Sequence, residues 1–377
     1  MDIELTSEQA LLRESTRAFL ESRAPLLRTR ELITAPAGYE AQVWEAGVSL
    51  GWSGMLIPED YGGSGLGRQG VVEAAVLAEE MGRTLYSGPF LSVNVVADAL
   101  SRLGSPTQRD AILPGLVNGT TVATWAIADG PGCWDGRGMG VSATRQADGY
   151  ALNGVKRWVQ DAVGAELLLV TCWAADRHVQ FVVGADTPGL SIVPLAAADL
   201  TRRIADVEFS DTYVPADRVL GGEGGANVHV APQLNLAVVL QCCESVGATQ
   251  RILEKTVQYA KDRVAFGRPI GSFQAVKHLL AESATWLEAA QAATWSAVHA
   301  LADNASDLAR MIHIAKMFTA RHCPRIIEDC MQVHGGIAMT WEDDCHLYLR
   351  RVRSNAMLFG TDGWHSERLC EVIGMAA

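Results

Sequence analysis

The spacing of apolar residues changes twice along the chain. Over residues 1–120 it is helical: Leu12, Phe19 and Leu20 follow a capping box made by Thr6 and Gln9, and helical runs resume through Val71–Gly82 and Val93–Leu103. Between them, Pro58-Glu59-Asp60-Tyr61-Gly62-Gly63-Ser64-Gly65 reads as a loop, because Pro and Gly punctuate helices. Over residues 121–225 short apolar or β-branched runs take over: Val122–Ala128, Tyr150–Val159, Leu167–Trp173, Val179–Val183, Leu190–Val193 and Val207–Phe209. Turn signals such as Asp148-Gly149, Asn153-Gly154 and Thr187-Pro188-Gly189 separate them. No long helical pattern intervenes, so a small antiparallel sheet or barrel is expected rather than βαβ units. Over residues 226–377, Leu234–Lys261, Phe273–Ala302 and Ser306–His334 each have the length of a bundle helix. The expected fold is α+β, mostly helical, in three parts.

Composition narrows the class. Nearly half of the 377 residues (49%) are hydrophobic, enough for a large core. A net charge of −12 argues against a nucleic-acid partner, since phosphate binding needs Lys and Arg. No segment approaches the ~20 apolar residues of a membrane helix, and Met1-Asp2-Ile3-Glu4 lacks the basic start and apolar run of a signal peptide. The eight cysteines show no CxxC and no Cys/His spacing suited to zinc, so no metal site is expected. Cys242-Cys243 lie in an apolar helical stretch and read as buried packing. Together these features predict a soluble, reduced, cytoplasmic protein. Gly221-Gly222-Glu223-Gly224-Gly225 lacks the GxGxxG spacing and follows a polar loop, so it reads as a hinge, with phosphate binding the alternative.

Two stretches carry candidate chemistry. In Tyr259–His278 a helix ends near Arg263, a Gly-Arg-Pro turn redirects the chain, and a new helix starts near Ser272. Arg263 at a helix exit and Gln274 at the positive end of the next helix can together hold an anion. Arg263 fits a bundle salt bridge as well. In Met331–Ile337 a long helix stops at Gly335-Gly336, which serves either close approach of a flat ligand or a plain helix stop.

Together these stretches resemble the signatures of the acyl-CoA dehydrogenase family, Arg-x-x-Phe-Gly-x-Pro-Ile…Phe-Gln and Gln-x-His-Gly-Gly. The likeness spans the chain: Pro58–Leu66 is similar to the family's Pro-Glu-x-x-Gly-Gly-x-Gly loop, and Glu79-Glu80-Met81-Gly82 to its N-terminal helix motif. The resemblance implies a helical domain, a middle β domain and a C-terminal four-helix bundle. It implies FAD as cofactor, an acyl-CoA substrate, an electron-transfer-flavoprotein type of acceptor, a homo- or heterotetramer of homologous subunits, and a place in lipid β-oxidation. Arg263, Phe266 and Gln274 match family residues that reach FAD from a neighbouring subunit, with Arg263 against the pyrophosphate. Gln332, Gly335 and Gly336 resemble the strip along its adenosine half. Lys156-Arg157-Trp158-Val159-Gln160 is similar to Lys-x-Trp-Ile-Thr, which would set Trp158 beside the isoalloxazine and Gln160 where the family's Thr meets the N5 edge. Read without the resemblance, Trp158 fits a half-buried strand aromatic. Ala128-Asp129-Gly130-Pro131-Gly132 echoes the family's Thr-Glu-Pro-x-Ala-Gly-Ser loop without its Thr and Ser, so no contact is carried onto it.

The family's reaction needs a carboxylate to remove the α-proton of an acyl thioester. In its usual Tyr-Glu-Gly-Thr motif this chain has Leu358-Phe359-Gly360-Thr361, with Phe359 at the glutamate and Gly360 and Thr361 kept for the flavin-touching turn. The alternative base position on the first bundle helix falls on Ala237, followed by Val238. No catalytic residue is therefore assigned, although Glu244 and Asp362 stand near enough in sequence to be considered. Glu244 reads otherwise as a solvated or helix-satisfied side chain, and Asp362 as loop surface. One branch of the family, of actinobacterial type, resolves the gap: two homologous subunits form an α2β2 tetramer in which one brings the base and the other only flavin contacts. The other readings are a self-sufficient flavoenzyme with a displaced base, and a non-catalytic partner that binds acyl-CoA or stabilises its companion. Trp286 and Trp295 read as bundle core rather than pocket lining.

Overall fold

The computed structural model describes residues 5–138, 140–174, 177–221 and 230–375. The Met1–Glu4 start and most of the Gly221–Gly225 hinge lie outside the described residues. Thr6 caps α1 (Ser7–Arg23): its hydroxyl accepts the Gln9 N–H at 3.2 Å, and the Gln9 side chain accepts the Thr6 N–H at 3.1 Å. Next come α2 (Leu26–Glu31), α3 (Ala41–Val48), α4 (Gly70–Thr84), α5 (Phe90–Leu103) and α6 (Pro106–Val117). Periodicity did not reveal α6. It begins at a second capping box, Ser105 with Gln108, and has Pro106 at its first position.

Seven strands follow: β1 (Ala123–Ala126), β2 (Val141–Arg145), β3 (Gly149–Gln160), β4 (Leu167–Ala174), β5 (Arg177–Gly184), β6 (Leu190–Pro194) and β7 (Ile204–Pro215). They form two sheets, ordered β1-β4-β5 and β2-β3-β7-β6. Their inner faces meet through Val141, Leu152, Phe181 and Val207. The expected antiparallel arrangement needs one correction, because β1 runs parallel to β4. A parallel pair needs a long crossover, and here the β2–β3 hairpin of the opposite sheet supplies it. A bulge in β3 between Lys156 and Val159 puts Trp158 at φ 52°, a left-handed conformation that bulky side chains rarely adopt.

The C-terminal part comprises α7 (Ala231–Asp262), a hairpin of β8 (Val264–Ala265) and β9 (Arg268–Pro269), α8 (Gln274–Ala302), α9 (Leu308–His334), α10 (Cys345–Met357) and α11 (Asp362–Val372). Helices α7, α8, α9 and α10 pack as a bundle, and α11 lies on α9. Cys242 and Cys243 are buried within α7. Trp295 is core, its indole N–H donating to buried Glu79 at 3.0 Å. Trp286 is not: it is 39% exposed on the bundle's outer side, stacked on His322 at 4.4 Å. Helical spacing locates a face but does not say whether a neighbour covers it.

The N-terminal helices join the bundle through a glycine crossing. A Cβ on Gly82 of α4 would lie 2.0 Å from the Glu244 carbonyl oxygen, and one on Gly247 of α7 would lie 1.8 Å from that of Glu79. Each helix thus seats a glycine against the other's backbone. Gly247→Ala should force the helices apart and cost about 1–3 kcal/mol or more, the range for overpacking a tight core. The measurement is a lowered urea midpoint; an unchanged midpoint would show that the crossing is slack.

Candidate functional site

The outward corner is built at the end of α7. Arg263 leaves the helix in extended conformation, and its carbonyl accepts the Ile270 N–H at 2.8 Å. The hairpin tip, Phe266 at φ 54° and Gly267 at φ 78°, carries the Phe266 ring into solvent, 96% exposed. Arg268 lies over the Phe273 ring at 4.1 Å. Gln274 opens α8, whose N-terminus has no side-chain cap, so its first N–H groups stay available. Arg263 and Gln274 are both exposed, and among the described residues no carboxylate lies within 4 Å of the Arg263 guanidinium. The bundle salt bridge considered from sequence is therefore not formed among the described residues.

The second stretch lies beside the first. Tyr259 of α7 stacks on His334 of α9 at 4.3 Å, which brings the Gly335-Gly336 turn to the same side as the hairpin. Gln332, Gly335 and Gly336 are exposed. Gly335 holds φ 70°, and a Cβ on either glycine would meet nothing within 4 Å. Packing inside this chain does not demand the second glycine. An exposed cation, an amide, open helix N–H groups and bare backbone on one side fit a phosphate and a flat ring system.

The inward site is closed. Trp158 stacks on Trp134 at 5.7 Å, Trp134 meets Phe359 edge-on at 5.7 Å, and Trp125 stacks on Phe359 at 6.3 Å. The space left among these rings and Gln160 is about 10 Å³. That is room for about one water, whereas ligand pockets run to ~300–1,000 Å³. Behind Gln160 a second cavity of about 30 Å³ is lined by Asp161 and Glu244. Ala237 is fully buried in α7. As they stand, these residues do not fit an isoalloxazine.

The turn at Phe359 is held through its backbone. Buried Lys316 donates to the Leu358 carbonyl at 2.8 Å and also to Asn355 and Gln241. His365 Nε2 donates to the Phe359 carbonyl at 3.0 Å and Nδ1 accepts from His313 at 2.9 Å, which fixes both tautomers. Burial lowers the two imidazoles to about 3 and about 4, so the pair is neutral at pH 7. Gly360 at φ 106° gives His365 the room, since a Cβ there would lie 2.7 Å from its Nε2. The Thr361 hydroxyl caps α11 by accepting the Trp364 N–H at 3.2 Å.

Neither acid singled out from sequence is placed as a base. Glu244 is not solvated but locked in an ion cluster, accepting from Arg202 at 2.6 and 2.7 Å, from Arg351, and from Asn355 at 3.0 Å. Burial alone would raise its pKa; the two guanidiniums overcome that and hold it at about 2. Asp362, half exposed at the start of α11, pairs with Arg321 at 3.3 Å. Sequence reasoning missed Asp161, a half-buried carboxylate whose pKa desolvation raises to about 6, hydrogen-bonded by Ser92 at 2.6 Å. It also missed Trp125 and Trp134, whose signal was tryptophan flanking a loop where the family carries small and hydroxyl residues.

The described residues form a three-part helical and β protein with an exposed Arg263 and Gln274 corner and a space of only about 10 Å³ among Trp125, Trp134, Trp158 and Phe359. Residues 6–120 match the acyl-CoA dehydrogenase N-terminal domain and residues 223–374 the C-terminal domain; the chain belongs to the acyl-CoA dehydrogenase family. Acyl-CoA dehydrogenase IpdE2 of Mycobacterium tuberculosis is 30% identical over 93% of this chain and 92% of its own length. IpdE2 of Mycolicibacterium smegmatis is 29% identical over 94% and 96%. The solved Tcur3481-Tcur3483 steroid ACAD superposes with a TM-score of 0.87 at 29% identity, covering 97% of this chain and 98% of that one. Among the described residues no helix is long and apolar enough to cross a membrane.

The Glu244 cluster has a pH signature. Its folded pKa, about 2, lies below the ordinary 4.5, so its stabilisation is complete above the ordinary value and is lost as pH falls toward 2. Glu244→Gln should cost about 3–5 kcal/mol by leaving two guanidiniums short of charge. It should also flatten the loss of stability across that window in urea titrations. Equal acid sensitivity in both proteins would place the effect elsewhere.

Proposed function

We propose that this chain is the base-less, flavin-contacting subunit of an α2β2, FAD-dependent acyl-CoA dehydrogenase. The observation that carries the reading is the pairing of an exposed Arg263 corner with an inward pocket filled by Trp125, Trp134, Trp158 and Phe359. Arg263 and Gln274 would face the pyrophosphate of FAD seated in a homologous subunit, with Phe266 reaching across the interface. Gln332, Gly335 and Gly336 would lie along its adenosine half. Trp158 and Gln160 would hold the flavin-side positions in this chain's own closed pocket, with Gly360 and Thr361 in the turn that follows Phe359. The two-component name of the steroid ACAD relative supports a heteromer.

When bound, FAD would supply the hydride acceptor for the β-hydrogen of the acyl thioester. This chain would orient the cofactor and shield its phosphates, while the companion supplies the carboxylate that takes the α-proton. The acyl-CoA substrate, an electron-transfer-flavoprotein type of acceptor, a role in β-oxidation and a cytoplasmic location belong to the same proposal. A displaced base within this chain is disfavoured by the ion pairing of Glu244 and the surface position of Asp362.

The test is purification of the chain alone and co-expressed with a homologue that carries the glutamate. Flavin bleaching by acyl-CoA should appear only in the mixed complex. Arg263→Ala in this subunit should weaken FAD retention there by about 10–100-fold, the worth of one charge-assisted hydrogen bond. Full bleaching by the isolated chain would overturn the division of labour.

A further inference from the structure

His334 is the last residue of α9, and the chain returns to it at Asp343 and Cys345, at the start of α10. One ligand-type atom from each of the three lies within 4.8 Å of the others. His334 and Cys345 are buried, and the Asp343 side chain is only slightly exposed.

Hydrogen bonding fixes the state of the imidazole. The Thr256 hydroxyl has one proton and donates it to the Ile252 carbonyl at 2.7 Å. Toward His334 Nε2, 3.2 Å away, it can therefore only accept, so Nε2 carries the N–H. Nδ1 is left as a bare lone pair. It is buried without a hydrogen-bond partner and faces Asp343 Oδ2 at 3.7 Å. The other carboxylate oxygen, Oδ1, accepts the Cys345 N–H at 2.8 Å, which aims Oδ2 at the ring. Two acceptors facing each other in a buried place repel unless a cation lies between them. Their separation is too long for a hydrogen bond. It suits two ligands of one tetrahedral ion with bonds of ~2.0–2.3 Å.

We propose that His334 Nδ1, Asp343 Oδ2 and Cys345 Sγ bind a zinc ion, with the fourth position taken by water. Cys345 binds as thiolate, its proton passing to solvent as the metal enters. The Nε2–H on Thr256 is the outer support a metal-bound histidine takes, and the stacked Tyr259 ring holds the imidazole plane. Lys255, a neighbouring cation, is held by Asp344 at 2.9 Å. Because His334 directly precedes Gly335, the ion would pin the glycine turn from behind. The spacing escaped the cysteine and histidine survey because one ligand is a carboxylate and each other type occurs once.

The full chain, dialysed against metal-free buffer after exposure to micromolar Zn2+, should retain one ion per chain by elemental analysis. Replacement by Co2+ should give tetrahedral d–d bands and a near-ultraviolet thiolate-to-metal band. Cys345→Ser should abolish that band, and Thr256→Val should weaken Zn2+ binding by about 10–100-fold. Substoichiometric zinc in the unaltered protein, a cobalt complex without the thiolate band, or a band that survives Cys345→Ser overturns the assignment. The unaltered protein's stoichiometry and spectrum decide the matter even if a variant fails to fold, and neither readout needs FAD.

Discussion

The structure depends on one buried guanidinium. Arg351 of α10 is fully enclosed and donates to Asp199 at 2.6 Å and to Glu244 of α7. It also reaches the Thr201 hydroxyl at 2.6 Å and the Leu85 and Tyr86 carbonyls that follow α4. A single side chain therefore ties the N-terminal helices, the segment between β6 and β7, and the bundle. Removing a charge from water is expensive, and such a cluster is tolerable only when every arm is satisfied. Asn355 and Arg202 complete it: both donate to Glu244, and Arg202 also donates to the Asn355 side-chain oxygen at 2.8 Å. The relative placement of the three parts follows, and with it the relation between β3 and the Phe359 turn.

That relation explains why the turn does not depend on the side chain at 359. Lys316 and His365 grip the backbone carbonyls at Leu358 and Phe359, not the side chain at 359. The identity of that side chain is therefore free to change without unravelling the turn. With an apolar side chain at 359, aromatic rings fill the space beside Gln160. Trp134 and Trp125 pack the two sides of Phe359, and interior packing near that of a crystal leaves no place for a ligand. The outward corner is built by a different part of the chain, so closing the pocket costs it nothing.

Much of the fold was legible because its signals are local. The Thr6 capping box, the helical runs and the Gly-Arg-Pro turn each act within a few residues. The parallel pairing of β1 with β4 was not legible, since it joins segments separated by a whole hairpin. β2 was missed because three of its five residues are exposed and all three are polar or charged, which leaves only Val141 and Ala143 as apolar signal. For the site, the motif positions were readable but their occupancy was not. Phe359 announced a missing base; that Trp125 and Trp134 converge on it is a tertiary fact. Glu244 misled for the same reason, because its two arginine partners lie 42 residues earlier and 107 residues later in the chain.

Backbone strain gives the last link between the two faces. Trp158, Phe266 and Phe359 all hold positive φ, at 52°, 54° and 59°. Each costs of order 1–3 kcal/mol where glycine would cost little. Two of the three point inward and recover that cost by stacking among the other tryptophans. Phe266 recovers little within this chain: its ring stands almost wholly in water, with only an edge contact to Phe273 at 6.2 Å. A large apolar ring held in a strained conformation and left in solvent is one that packing within the described residues does not account for. The same fold thus sets its aromatic residues in two ways, inward where Trp158 and Phe359 stack with Trp125 and Trp134, and outward where Phe266 stands in water at the hairpin tip.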